Sequence, residues 1–174
     1  MQECVTEALV LLKEPFSEYD ARITLYTRLN GKLWAKAKSV RKITSKLNAH
    51  LEPGMVTLIR LTTRKDDHVG KDLNWYLTDS LNEFRAYTNF EFLESIARLI
   101  PDHMGRSDLF WNFLMKGEVN WRGLYSNLGY QNLNSTCMNC GEENIAYFSK
   151  SDETFIGAIC ALNFPDYLLL QAKL

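Results

Sequence analysis

Five strand-like stretches fall within the first eighty positions, two of them cleanly alternating, and no helical period long enough to intervene separates them. The clearest is Ala21–Arg28, with Ala21, Ile23, Leu25 and Thr27 on one side and Arg22, Thr24, Tyr26 and Arg28 on the other. Lys32–Val40 repeats the pattern, opposing Leu33, Ala35 and Ala37 to Trp34, Lys36 and Lys38. Cys4–Leu12, Met55–Leu61 and Asn74–Thr78 supply three more stretches, the last two separated by a charged turn, Arg64–Lys71. A period of two places one face of each segment in a core and the other in solvent. Five such strands in so short a span predict a small barrel, since closure removes the exposed edges. A three-residue loop, Leu29–Gly31, sets the expected register of the second and third strands, pairing Leu25 with Ala35 and Ile23 with Ala37. Tyr26 would then face Trp34, Arg22 would face Lys38, and Arg28 would face Lys32.

Like charges placed opposite each other destabilise a sheet unless a counter-charge arrives. The net charge of −1 conceals how strongly they are concentrated: residues 21–65 hold eleven Lys and Arg and one acid, Glu52. That block carries +10, offset by −4 before it and −7 after it. Clustered cations with aromatic rings among them suit a nucleic-acid strand, phosphates being neutralised while bases stack. The candidate contacts are Arg22, Tyr26, Arg28, Lys32, Trp34, Lys36, Lys38, Arg41, Lys42 and Lys46. The competing expectations are an RNA-binding barrel module and an adaptor that binds protein alone.

After residue 80 the period changes to that of helices. Thr88 or Asn89 can cap a helix through Leu99, Ser107 can cap one through Met115, and Val119–Leu128 forms a shorter third. The expected organisation is therefore a barrel over 1–80 and a small helical domain over 81–174 that includes a cysteine knuckle at about 137–163. In the knuckle, Cys137-Met138-Asn139-Cys140-Gly141 brings two thiols within reach of one metal ion, and Cys160 comes after it at ribbon-like spacing. Asn163 stands where a fourth cysteine would complete a zinc site, leaving Asp152, Glu153 or Asp166 as oxygen donors. A metal-free knuckle packed by Tyr147, Phe148, Phe155 and Phe164 is the alternative.

Enzymatic motifs are missing: there is no phosphate-binding loop, dinucleotide glycine fingerprint or nucleophile elbow. His50-Leu51-Glu52 and Cys137-x-x-Cys140 formally match a zinc deaminase signature but lie too far apart to share a site. His50, His68 and His103 fall in separate segments, which suits surface or capping roles. No apolar run of eighteen residues spans a membrane, and the start, Met1-Gln2-Glu3-Cys4, is unlike a secretory signal. The expected location is the cytoplasm, in association with the nucleoid, and the expected class is a binding protein.

Several segments in order resemble the RecO family. They are Glu18-Tyr19-Asp20 before the second strand, the turn Thr27-Arg28-Leu29-Asn30-Gly31-Lys32, and the basic run Ala35–Lys42 against an Ala-Lys-Gly-x-Arg-like segment. Leu51-Glu52-Pro53, Leu128-Gly129-Tyr130, the knuckle and Tyr147-Phe148-Ser149 continue the likeness. Ala37 is matched to the glycine of the basic segment, the region between Leu81 and Thr136 is shortened, and the fourth cysteine is absent. The resemblance implies an α+β protein with an N-terminal five-stranded OB-fold barrel followed by a helical domain with a zinc-ribbon-like knuckle. It also implies binding of single- and double-stranded DNA, strand annealing and recombinase loading, with RecR and single-strand-binding protein as partners and no membrane contact.

Overall fold

The computed structural model describes residues 2–63, 75–102, 104–130, 136–149, 151–165 and 169–172. Arg64, Lys65, His68, Asn74, His103 and Asp166 lie outside the described residues. The chain forms two compact units, Met1–Glu118 and Val119–Leu174.

The first unit is built on a closed barrel of β1 (Gln2–Pro15), β2 (Ala21–Thr27), β3 (Gly31–Ala37), β4 (Met55–Thr63) and β5 (Trp75–Arg85), in the order β1-β2-β3-β5-β4. All neighbours are antiparallel except β3 and β5. The long β1 serves both β2 and β4, and a register shift between Val10 and Leu12 lets one strand turn from one neighbour to the next. Alternation fills the interior as the sequence requires: Ala8, Val10, Ile23, Leu25, Ala35, Ala37, Ile59, Leu61 and Leu77 are buried together. Each large side chain so buried contributes roughly 1.5–3 kcal/mol.

The hairpin register differs from the expected one. Thr27 pairs with Gly31, Leu25 with Leu33, Thr24 with Trp34, Ile23 with Ala35 and Arg22 with Lys36, so the loop is residues 28–30. The cause is the Thr27 hydroxyl, which accepts from the Asn30 amide at 3.0 Å and donates to the Gly31 carbonyl at 3.0 Å. This local bonding closes the loop one residue earlier than turn statistics suggest. Gly31 has a left-handed backbone, φ 71°, and a Cβ there would lie 2.2 Å from the Met104 carbonyl oxygen.

Among the described residues two α-helices complete this unit. The Asn89 side chain caps α1 (Phe90–Leu99) through the Phe92 amide, and the Ser107 side chain caps α2 (Asp108–Leu114) through the Phe110 amide. The apolar face of α1, including Phe92, Leu93, Ile96 and Leu99, is buried, and the helix packs on β1. The boundary expected at residue 80 lies inside β5, and α1 and α2 belong with the barrel. Beyond Glu118 the second unit, expected to be part of a helical domain with a cysteine knuckle, carries strands as well as helices. It combines α3 (Trp121–Asn127) and the single turn α4 (Ala158–Ala161) with an antiparallel sheet ordered β7-β6-β8. Those strands are β6 (Ile145–Ser149), β7 (Thr154–Gly157) and β8 (Leu169–Gln171). Tyr125, Tyr130, Phe148 and Phe155 form its ring cluster, with centroids 4.6–6.3 Å apart.

Candidate nucleic-acid interface

The outer face of β2 and β3 carries the residues expected to meet nucleic acid, and the fold divides them. At one end Tyr26 is fully buried beneath α2, with its ring 5.1 Å from Phe110 and 6.4 Å from Trp111. It offers no surface for a base, which corrects its assignment as a stacking residue. Burial also raises the pKa of its phenol. Lys32 beside it forms an ion pair with Asp102 at 2.6 Å and donates to the Ile100 carbonyl at 2.7 Å. Arg28 pairs with Glu7. These cations are already neutralised within the chain.

The other end is open. Arg22 lies 4.8 Å from the half-buried Trp34 ring, and Lys38 lies 5.4 Å from Tyr76. Lys42 stacks over Tyr19 at 5.2 Å, and Lys36 over Phe16 at 4.6 Å. Arg22, Lys38, Arg41, Lys42 and Lys46 are all exposed. The like-charge opposition expected of Arg22 and Lys38 does not occur. Arg22 sits opposite Lys36 on one side and Glu14 on the other, and Lys36 is paired with Asp20 at 3.0 Å. Between β1–β3 and α1 lies a cleft of about 180 Å³ that Glu14, Arg22, Lys32, Trp34, Ala97 and Asp102 help to line.

Phe16, Tyr19 and Tyr76 were not singled out by the strand pattern. Phe16 and Tyr19 are about half exposed in the β1–β2 turn, and Tyr76 joins Lys36 across the β3–β5 pairing. An aromatic pair flanking a turn acid was the available signal, but turns carry no alternation by which to read it. His50 is half-buried in the turn of residues 49–51, with its Nδ1 3.0 Å from the Ser80 carbonyl.

Residues 1–80 match the family model described as "Recombination protein O N terminal". The "DNA repair protein RecO" of Heliobacterium modesticaldum is 34% identical over 157 residues, covering 78% of this chain and 55% of that protein. This chain belongs to the RecO family. Proteins of the same name from Caldanaerobacter subterraneus and Bifidobacterium animalis are 27% and 29% identical, over 89% and 88% of this chain and 69% and 71% of theirs. The chain thus spans about half the length of the first of these relatives and about seven-tenths of the other two.

Two RecO-like motifs acquire a physical role. The acid preceding the second strand is Asp20, whose carboxylate accepts from the Ser39 amide at 2.9 Å and pairs with Lys36. The Ser39 amide and then the Lys36 ammonium hold its pKa below the usual carboxylate range. Arg41 ties the same turn, donating its amide to the Tyr19 carbonyl and its guanidinium to the Ser17 carbonyl. Asp20 and Arg41 therefore lock the β1–β2 turn, with its rings, to the basic segment after β3. In that segment the glycine counterpart is Ser39, not Ala37. Ser39 has φ 54°, the left-handed conformation that glycine adopts without strain, whereas Ala37 is a buried strand residue opposite Ala21. Ala37-Lys38-Ser39-Val40-Arg41 then matches the Ala-Lys-Gly-x-Arg-like pattern two residues later than expected.

The cysteines of this RecO-family chain also come together. The sulfurs of Cys137, Cys140 and Cys160 lie within 4.8 Å of one another, so the three can hold a metal ion. Hydrogen bonds from the Gly157 amide, and then those of Cys140 and Asn139, lower the Cys137 pKa to about 6. A Cβ on Gly157 would meet the Cys137 sulfur at an ordinary 3.6 Å and crowd only the Asn144 carbonyl oxygen, at 3.1 Å. Hydrogen bonding to Cys140 and Cys137 raises the Cys160 thiol to about 12. Three thiols this close cannot all ionise without a cation, and a bound metal ion would remove that conflict. Among the described residues neither Asp152 nor Glu153 joins the cluster. Asp152 accepts instead from Ser149 and Ser151.

Proposed function

We propose that this chain acts in DNA repair as a non-enzymatic mediator that holds DNA backbones on the open end of an OB-type barrel. The observation that supports this most directly is a set of exposed cations among rings: Arg22, Lys38 and Lys42 lie against Trp34, Tyr76 and Tyr19, Arg41 is bonded to the turn that carries Phe16 and Tyr19, and Lys46 is exposed further along the same basic segment. The cations neutralise phosphates while the rings accept bases of any identity. Two strands held in this way, with charge neutralised and base edges free, can anneal without any chemical step. Recombinase loading, and partnership with RecR and single-strand-binding protein, rest on family membership. The knuckle is read as a zinc-ribbon-like module, in which a metal ion would cross-link the Cys137–Cys140 turn to α4.

Five phosphate contacts set a slope. Affinity for a mixed-sequence single strand should fall about 10²–10³-fold between roughly 50 and 200 mM salt. Fluorescence anisotropy of a labelled oligonucleotide measures this directly. The informative control is reversal of Lys38 and Lys42, which leaves the Lys36–Asp20 pair intact. A salt-independent affinity would refute backbone binding, and tighter binding to a matched RNA would redirect the assignment to an RNA module.

A further inference from the structure

We propose that the cysteine knuckle is a three-thiolate metal site whose fourth coordination position takes an external thiolate. The donor inventory carries the argument. Residues 119–174 contain three cysteines and no histidine, so this unit offers a metal ion no fourth thiolate or imidazole of its own. The three sulfurs already lie within 4.8 Å of one another, close enough for one tetrahedral ion with metal–sulfur bonds of about 2.3 Å. Three thiolates and an oxygen donor form the coordination pattern of an exchangeable site, whereas four thiolates close a structural one.

Burial orients the opening. Cys137 is buried, Cys160 half-buried and Cys140 exposed, so an ion held by all three sits at the surface of the unit. The segments that bear these thiols also expose Met138, Ile159 and Leu162, each more than two-thirds accessible. Apolar surroundings weaken the hold on a water ligand and favour a soft, weakly hydrated donor such as a thiolate. In the exchange the incoming thiol gives its proton to solvent, one metal–sulfur bond forms and one metal–oxygen bond breaks. No electron is transferred. The thiolate has two sources, a small cellular thiol or a cysteine side chain on a partner protein.

The full chain loaded with one equivalent of Co²⁺ tests this through its sulfur-to-metal charge-transfer absorption, whose intensity rises with the number of thiolates bound. Titration with 2-mercaptoethanol should raise that intensity by about one-third, from three thiolates to four, with one-to-one saturation. Saturation at millimolar thiol would assign the small-molecule source, and saturation only far above it would assign a cysteine delivered by a partner. In Asn163→Cys the intensity should start at the four-thiolate level and no longer respond. Failure to bind one equivalent of Co²⁺, or a wild-type spectrum indifferent to thiol, overturns the proposal.

Discussion

The two ends of the β2–β3 outer face present the same chemistry to opposite fates. Each carries cations and an aromatic ring at alternating positions. At the Tyr26 end, α2 covers the ring, and Asp102 and Glu7 neutralise Lys32 and Arg28. At the Trp34 end the rings remain beside exposed cations, and the acid that pairs there, Asp20, braces a loop rather than covering the face. Strand alternation says which side chains point outward. It does not say which of them stay in water, because that depends on elements that arrive later in the chain.

The largest effect that would break this division comes from Tyr26→Ala. Loss of a large buried ring should cost about 3–5 kcal/mol in urea unfolding, with DNA affinity unchanged for the folded fraction. An affinity loss without destabilisation would put Tyr26 in the interface after all. Trp34→Ala should do the reverse, weakening single-strand binding by about 1–3 kcal/mol with a smaller change in stability. Reversal of Lys38 and Lys42 sharpens the comparison. Without these two cations on the phosphates, the slope of log affinity against log salt should become shallower by about 1.4 for single strands, whereas neutralising Lys32 should leave it unaltered.

Asp20→Asn tests the brace. Because its folded pKa is depressed, the carboxylate's stabilisation is complete above the unfolded value of about 3.9 and disappears as pH falls through the folded one. The stability difference between wild type and variant should therefore be constant near neutrality and close below about pH 4; a difference persisting at acid pH would show that charge is not the cause. The smallest effect is Ser39→Gly. Removing left-handed strain of about 1–2 kcal/mol, less the extra chain entropy of glycine, should leave a gain of about 0.5–1 kcal/mol in chemical denaturation.

The strand alternation, the helix caps at Asn89 and Ser107, the basic block and the three cysteines were legible in the sequence because each rests on local spacing. The hairpin register was not, since it turned on a single hydroxyl, that of Thr27. Nor was the place of α1 and α2, whose caps and apolar faces specify helices without naming the surface they cover. Phe16 and Tyr19 escaped because turn residues have no periodicity to mark them as outward-facing.

The amino-acid order by itself determined a five-stranded barrel, its inward residues, and a concentration of positive charge within it, since periodicity and charge are properties of neighbours along the chain. Only the tertiary structure decided which cations and rings were consumed internally and which remained exposed. That choice required Asp102, Phe110 and Trp111 to meet Lys32 and Tyr26 across about seventy to eighty-five positions of sequence, and contact at such a distance leaves no trace in local pattern.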